Sequence, residues 1–313
     1  MPQCWVIGDA AIDLIPEGNK YLKFPGGTGA NISVALSKLG VKSVLITKLG
    51  NDPLAAFLTD KLEHEKVNTQ HISFSERYKT GLIIISVNGI GERDFTYMVK
   101  PSADSQLENS DIPAFKRGDW LCVSSFMFSQ RSSREATFFA IKQAKMAGSL
   151  VCVDANMRID MWDNKLLLLP TTLEALKIAD IAKMSEDELL LLTNTDSIRE
   201  GIKKVKHWPA KIKIITLAEK GAILLTEQSE FHIEGYNVPV VDMTGAGDAF
   251  IAAFISKLIP LESWSDVQLI EAIKFSNACG ALVVGKKGAM SALPNLSTVN
   301  KFILERDQNA DIK

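Results

Sequence analysis

A carboxylate beside a glycine-rich turn is the part of this sequence best suited to chemistry. The chain reads Val241-Asp242-Met243-Thr244-Gly245-Ala246-Gly247-Asp248-Ala249-Phe250 and continues in small and apolar residues through Ile251, Ala252, Ala253, Phe254 and Ile255. A Gly-Ala-Gly turn therefore opens a helix. The first amides of a helix lack intrahelical acceptors, and with the helix dipole they attract anions. Small residues let a phosphate approach the backbone closely. Asp248 falls within this turn. Read alone, it is either a helix cap or a base that takes the proton of a hydroxyl attacking a phosphorus held over the same amides.

Other chemistries are excluded by what the sequence lacks. There is no G-x-x-x-x-G-K-[ST] phosphate loop. Phe250 stands where a dinucleotide fingerprint wants glycine, and the serine elbow G-x-S-x-G is missing. A formal net charge of −2 gives no reason to bind nucleic acid or an anionic membrane. The short basic run Lys203, Lys204 and Lys206 reads as a solvated helix face. Cys4, Cys122, Cys152 and Cys279 form no C-x-x-C pair, so neither zinc nor a redox motif is expected. Cys122 and Cys152 sit in apolar runs and read as buried, which suits a reducing, cytoplasmic compartment. Met1 to Gly8 lacks a secretory pattern, and no stretch approaches about 18 uninterrupted apolar residues, so neither a signal peptide nor a membrane span is expected.

The elements that must position the turn follow from hydrophobic periodicity. Short apolar runs read as strands: Trp5 to Ile7, Val44 to Thr47, Trp120 to Val123, Leu150 to Val153, Ile178 to Ala182 and Ile212 to Leu217. Helix-period segments lie between them, including Ile32 to Leu39, Arg134 to Ala147 and Leu166 to Leu176. Continuous apolar strands alternating with helices predict a mostly parallel sheet covered on both faces, a three-layer α/β/α architecture. One region departs from this alternation. From about Tyr78 to Val99 two strand patterns flank Asn88-Gly89-Ile90-Gly91, a hairpin connection. Further strand patterns occur near Ala10 to Leu14 and Tyr21 to Phe24. Together these are either a small projecting sheet or an ordinary hairpin at the sheet edge. The polar tail from Glu305 to Lys313 is expected to fray.

Two motifs, Gly26-Gly27-Thr28-Gly29-Ala30-Asn31 and Asp242-Met243-Thr244-Gly245-Ala246-Gly247-Asp248, make the chain resemble the ribokinase-like (PfkB) family of carbohydrate kinases from about Trp5 to Pro294. Within it the chain is most similar to bacterial fructokinases, through Gly91 to Met98, Lys100 to Asp104, Asp154 to Arg158 and Lys287 to Pro294. Aminoimidazole riboside kinases share much of this pattern. The resemblance implies one ribokinase-like kinase domain over residues 1–313, with lid strands from about 10–24 and 80–98.

It also implies roles at matching positions. Asp248 is the expected catalytic base, with the amides of Gly245, Ala246 and Gly247 as an anion hole. Asp13, Gly27, Asn31, Tyr97 and Arg158 are expected at the sugar. The residues also allow blander roles: Asp13 as an exposed turn carboxylate, Asn31 as a helix N-cap as well as a sugar contact, Tyr97 as a cross-strand packing residue and Arg158 as an ion partner of Asp154. Asn156, Lys183, Glu188, Thr216, Gly221 and Asn277 are expected at ATP, with Glu188 organising Mg²⁺ through water. Alternatively, Glu188 is a plain acidic helix start and Asn277 a polar residue on a packing helix. Asp242 and Thr244, with backbone oxygens of Val283, Lys286 and Gly288, match a potassium site, although Asp242 can also simply brace the loop. Three positions depart from the family pattern: Ser185 replaces an asparagine, Ala218 a glycine and Met243 a threonine.

The expected reaction is transfer of the ATP γ-phosphoryl group to a primary hydroxyl of a sugar, D-fructose first, with the small sheet excluding water. Sugar and ATP are the expected partners, with no nucleic acid and no membrane, and an apolar lid face points to a homodimer. A riboside substrate is the alternative kinase reading. A sugar- or nucleotide-binding regulator without turnover is the non-enzyme one, and intact Asp248, Gly245 and Gly247 count against it.

Overall fold

A computed structural model describes residues 2–87 and 93–310. The main sheet is built from β1 (Cys4–Ile7), β4 (Ser43–Gly50), β5 (Ile72–Ser75), β8 (Trp120–Ser124), β9 (Leu150–Asp154), β10 (Ile181–Ser185), β11 (Ile212–Thr216), β12 (Ala222–Leu225) and β13 (Glu230–Ile233). Their order is β13-β12-β11-β10-β9-β8-β1-β4-β5. Neighbours run parallel, except that β12 is antiparallel to both β11 and β13.

Strand side chains alternate between two cores. Cys4 and Val6 pack with α1 (Thr28–Lys38), α2 (Pro53–His64), α7 (Ala246–Leu258), α8 (Asp266–Val284) and α9 (Leu296–Ala310). Trp5 and Ile7 pack on the other face with α3 (Arg131–Ala147), α4 (Leu168–Ile178), α5 (Glu186–Thr193) and α6 (Ile198–Val205). Both faces are covered, which is why the strands are continuously apolar. All four cysteines are buried and free.

Among the described residues one helix, α8, is long and apolar enough by composition to span a bilayer, with mean hydropathy 1.4. Half of it is buried, and it packs along α7 and against β12 and β13, as a core helix does.

A second sheet has the order β3-β2-β6-β7, from β2 (Ala11–Glu17), β3 (Lys20–Gly26), β6 (Gly81–Val87) and β7 (Arg93–Tyr97). The region from Tyr78 to Val99 thus joins a separate small sheet instead of extending the main one. Asp13 pairs with Phe24 on one side and Ile83 on the other, and Ile83 pairs with Tyr97. The connection from Asn88 to Gly91 lies outside the described residues.

Two sequence expectations are corrected. The strand expected at Ile178 to Ala182 begins at Ile181, because Ile178 is the last residue of α4. The apolar run there spans a helix end and a strand start, which periodicity cannot separate. The tail expected to fray from Glu305 is helical to Ala310. Buried Val299 and the edge-to-face contact of Phe302 with Tyr236 anchor α9; residues 311–313 lie outside the described region.

Candidate active site

The Gly-Ala-Gly turn starts α7 as its sequence predicts. Gly245 is the residue before the helix, with φ 82°, and a Cβ there would lie 3.0 Å from the Cβ of Ala289. Glycine is required for both reasons. The amides of Gly247 and Asp248 make no protein hydrogen bond among the described residues, whereas that of Ala246 leans back to Met243 O at 3.3 Å. Asp248, third in the helix and 5% exposed, does not cap it. Its Oδ2 accepts from Asn31 Nδ2 at 2.9 Å. Burial pushes the Asp248 carboxyl up to about 7. The Asn31 bond and the Arg158 guanidinium pull it down, while Asp154 and Asp9 push it further up.

Two clefts meet at this turn. The first, about 760 Å³ and partly open to solvent, is lined by Asp9, Asp13, Gly27, Asn31, Tyr97 and Arg158 together with Thr244, Gly245 and Asp248. The smaller sheet supplies one wall through Ala11, Asp13, Leu82, Ile83 and Tyr97. Gly27 precedes α1 with φ 98°, and a Cβ there would strike Asp9 O at 2.6 Å. The backbone is equally close between Gly8, after β1, and Gly29. A Cβ on Gly8 would lie 2.4 Å from the Cα of Gly29, and only glycines permit that approach. Asn31 sits inside α1 and is no N-cap. Its Oδ1 is buried without a hydrogen-bond partner. Burial raises the Tyr97 phenol, and the Arg158 guanidinium opposes the shift.

The second cleft, about 1560 Å³ and also partly open, is lined by Asn156, Lys183, Glu188, Thr216, Gly221 and Asn277, with Ala246 and Gly247 on the near side. Arg158 lines both clefts. Lys183 Nζ donates to both oxygens of Asp154 at 2.9 and 3.0 Å, and lies 3.2 Å from where a Cβ on Gly247 would stand. A cation is thus held next to the bare amides. The ion partner of Asp154 is Lys183, so the Arg158–Asp154 pairing allowed by the sequence does not form. Burial works against the Lys183 charge, but Asp154 and Glu188 outweigh it and raise the ammonium pKa.

Glu188 does start a helix, and it does more. Its Oε2 accepts from Ser185 N at 2.8 Å in a capping box, and its Oε1 accepts from Met157 N at 2.6 Å. It ties the start of α5 to the loop that carries Arg158. Asn156, with φ 29°, donates from Nδ2 to Thr28 Oγ1 at 3.1 Å and links the clefts. Asn277 donates to Ile233 O and Glu234 O at 3.2 and 3.0 Å, so both its amide hydrogens brace the end of β13. Ala218 takes φ 52° despite its Cβ, so the turn 217–221 forms as it would with glycine and carries the strain.

Behind the turn, Asp242 Oδ1 accepts from Thr244 N and Oγ1 at 3.1 and 2.8 Å, and Oδ2 accepts from Gly288 N at 2.6 Å. Lys286 N donates to Val283 O at 3.1 Å. These contacts brace the loop. Among the described residues no cluster of three metal-ligating side chains occurs.

Two carboxylates carry no assigned role in the sequence reading. Asp9 follows β1 and accepts from Thr28 N at 3.1 Å. Asp104 is 2% exposed, accepts from Ser102 Oγ and, at 2.8 Å, from Ser105 N, and is pushed up to about 7 by burial and then by the Asp9 charge. Both line the first cleft. A signal for Asp9 existed: in parallel sheets sites gather beyond the carboxyl ends of strands, where Asp9, Asp154, Ser185 and Thr216 all fall. Asp104 comes from a long connection and had no such cue.

The pfkB family carbohydrate kinase profile matches residues 1–296. The fructokinase of Vibrio alginolyticus is 38% identical over 97% of this chain and 99% of its own length. A crystal structure of the Vibrio cholerae O395 fructokinase with fructose, ADP and a calcium ion superposes with TM-score 0.92 at 40% identity, covering 96% of this chain and 99% of that one. The aminoimidazole riboside kinase of Salmonella enterica, complexed with aminoimidazole riboside and an ATP analogue, gives TM-score 0.90 at 35% identity, covering 96% and 99%.

Proposed function

The chain belongs to the pfkB family of carbohydrate kinases, and from that premise we propose that it transfers the γ-phosphoryl group of ATP to a primary hydroxyl of a sugar, with D-fructose as the substrate. One observation carries the reading. The wall between the clefts consists of the unpartnered amides of Gly247 and Asp248 and the Asp248 carboxylate. Sugar and triphosphate placed in their clefts meet there.

In this mechanism the sugar rests on Asp13, Asn31 and the Gly27 turn, with its hydroxyl on Asp248. Asp248 orients the hydroxyl and takes its proton as the oxygen attacks the γ-phosphorus. The amides of Gly245, Ala246, Gly247 and Asp248 and the Lys183 ammonium meet the negative charge spread over the transferring group. Arg158, common to both clefts, neutralises charge as the phosphoryl group crosses. The smaller sheet keeps water out, which favours transfer over hydrolysis. Burial and the like charges of Asp154 and Asp9 make Asp248 a stronger base than an exposed aspartate.

Of the carboxylates at or beside the second cleft, Glu188 is committed to two amides and Asp154 to Lys183. They fit a hydrated Mg²⁺ held through water, and such an ion would supply charge neutralisation at the phosphates. Asp242 and Thr244, with backbone oxygens of Val283, Lys286 and Gly288, are one carboxylate, a hydroxyl and carbonyls, a donor set suited to a hard cation such as K⁺. Exposed Tyr21 and Leu22 on β3 favour a homodimer through the smaller sheet.

A substrate panel of fructose, ribose and aminoimidazole riboside, with coupled detection of ADP, tests the reading. Fructose should give the highest kcat/KM. A higher value for the riboside would move the assignment to the nucleoside branch, and no ATP consumption with any acceptor would remove the kinase reading.

A further inference from the structure

The Arg158 guanidinium lines both clefts, yet it makes no hydrogen bond to any described residue. Where its charge stands is therefore set by the backbone that carries it. Arg158 opens a short 3₁₀ turn (Ile159–Met161), in which Met161 N donates to Arg158 O at 2.9 Å and Trp162 N to Ile159 O at 3.3 Å. The turn is held at both ends. Before it, Met157 N donates to Glu188 Oε1 at 2.6 Å. After it, the Trp162 side chain is 2% exposed and packs in the core on the α3 and α4 face of the sheet. Between these points Arg158, Ile159 and Asp160 are exposed.

The middle of the turn leans on Lys100, which comes from the opposite wall of the first cleft. Lys100 lies in the segment that returns from β7 of the smaller sheet. Its neighbours Val99 and Ser102 line the first cleft, as Met161 of the turn does. Lys100 Nζ donates to Asp160 O at 3.2 Å and pairs with Asp163 Oδ1 at 3.2 Å. Asp163 Oδ2 in turn accepts from Gln130 Nε2 at 2.6 Å, just before α3. The Gln130 bond, and then Lys100, hold the Asp163 carboxyl below its ordinary value. The base of the smaller sheet is itself fixed to the main one. Gly50 N donates to Thr80 Oγ1 at 3.0 Å and Thr80 N to Asp52 Oδ2 at 2.9 Å, while Ala103 N donates to Lys79 O at 2.9 Å. Lys100 thus reaches the turn from an anchored base. An exposed ion pair adds little to stability. A bond to a main-chain carbonyl two residues after Arg158 does something else, since it fixes the path of the turn from which a long side chain extends into the site.

We propose that Lys100 is a positioning residue, which ties the return of the smaller sheet to the turn carrying Arg158 and so fixes where the guanidinium stands as the phosphoryl group crosses. The inference rests on the kinase reading for the role of Arg158. Lys100 itself lines neither cleft. Because the tie serves a charge that matters most in the transition state, its loss falls on kcat and spares KM.

Hydrogen exchange over residues 157–163 of the full-length, substrate-free enzyme reads the tie without turnover. Lys100→Met should quicken exchange there by about fivefold, and Lys100→Arg should keep the unmodified enzyme's rate. Kinetics read the consequence. Lys100→Met should lower kcat about tenfold, with the KM for ATP and for fructose changed less than about threefold. Lys100→Arg should recover most of that loss. In a cycle with Arg158→Met, Lys100→Met should cost nothing further, because the side chain it positions is already gone. A purely structural role would instead lower the urea midpoint and add its loss to that of Arg158→Met. Unchanged exchange in Lys100→Met, or additive losses in the cycle, overturns the proposal. Quickened exchange in an enzyme that consumes no ATP with any sugar would count against the kinase reading and leave the tie standing.

Discussion

Asn31 Nδ2 and Asp248 Oδ2 lie 2.9 Å apart across 217 residues of sequence. The bond brings the two glycine motifs together, since Asn31 belongs to the first and Asp248 to the second. It also favours the ionised carboxylate against the burial that opposes it. Asn31→Leu removes the donor. Hydrogen bonds to charged groups are worth about 1.5–3 kcal/mol, so the acidic limb of kcat/KM against pH should move up by about one to two pH units. An unmoved limb with weakened sugar binding would assign Asn31 to the sugar alone.

Asp248→Asn keeps the size and the Asn31 neighbour but cannot accept the proton. The expected result is a fall of about 10²–10⁴ in kcat with ATP binding retained. Near-normal turnover at saturating ATP and fructose would remove Asp248 from the chemistry.

The pH dependence has two opposite signs. With Asp248 as the proposed base, activity needs its carboxylate ionised, and burial raises that carboxyl to about 7, so kcat/KM should rise with pH through that value. Stability moves the other way. Asp104 and Asp248 are raised to about 7 in the fold, above an unfolded value of about 4. Their contribution is fully present below about pH 4 and is lost as pH climbs through about 7. The substrate-free enzyme should therefore show a lower urea midpoint at pH 8 than at pH 5. Asp104→Asn should flatten this difference, and an unchanged slope would show that Asp104 does not hold its proton in the fold.

Lys183→Met strands the buried Asp154 charge. The loss should be about 3–5 kcal/mol, with Asp154→Asn recovering part of it in the double variant. The two effects should couple in a double-mutant cycle; simple additivity would mean that the pair seen at 2.9 Å contributes nothing of its own.

Ala218 holds a left-handed backbone, φ 52°, that costs an alanine about 1 kcal/mol relative to glycine. Ala218→Gly should raise stability by roughly that amount in urea unfolding, with the KM for ATP altered less than threefold. A destabilised variant would show that the Cβ packs usefully in the turn.

The alternation of apolar strands with helices made the three-layer fold legible, because a strand buried on both faces must be apolar throughout. The glycine turn at 245–247 was legible too, since the demand for φ > 0 and open amides is local. What the sequence by itself determined was therefore the list of parts: a helix start that attracts phosphate, a carboxylate beside it, and a frame to hold them. Only the tertiary structure decided how those parts are used. It gave Lys183 to Asp154, turned both hydrogens of Asn277 onto the end of β13, spent Glu188 on two amides, and brought Asp9 and Asp104 into the first cleft. Such pairings join segments far apart along the chain, and side-chain partners across folded distances leave no periodicity in the sequence from which to read them.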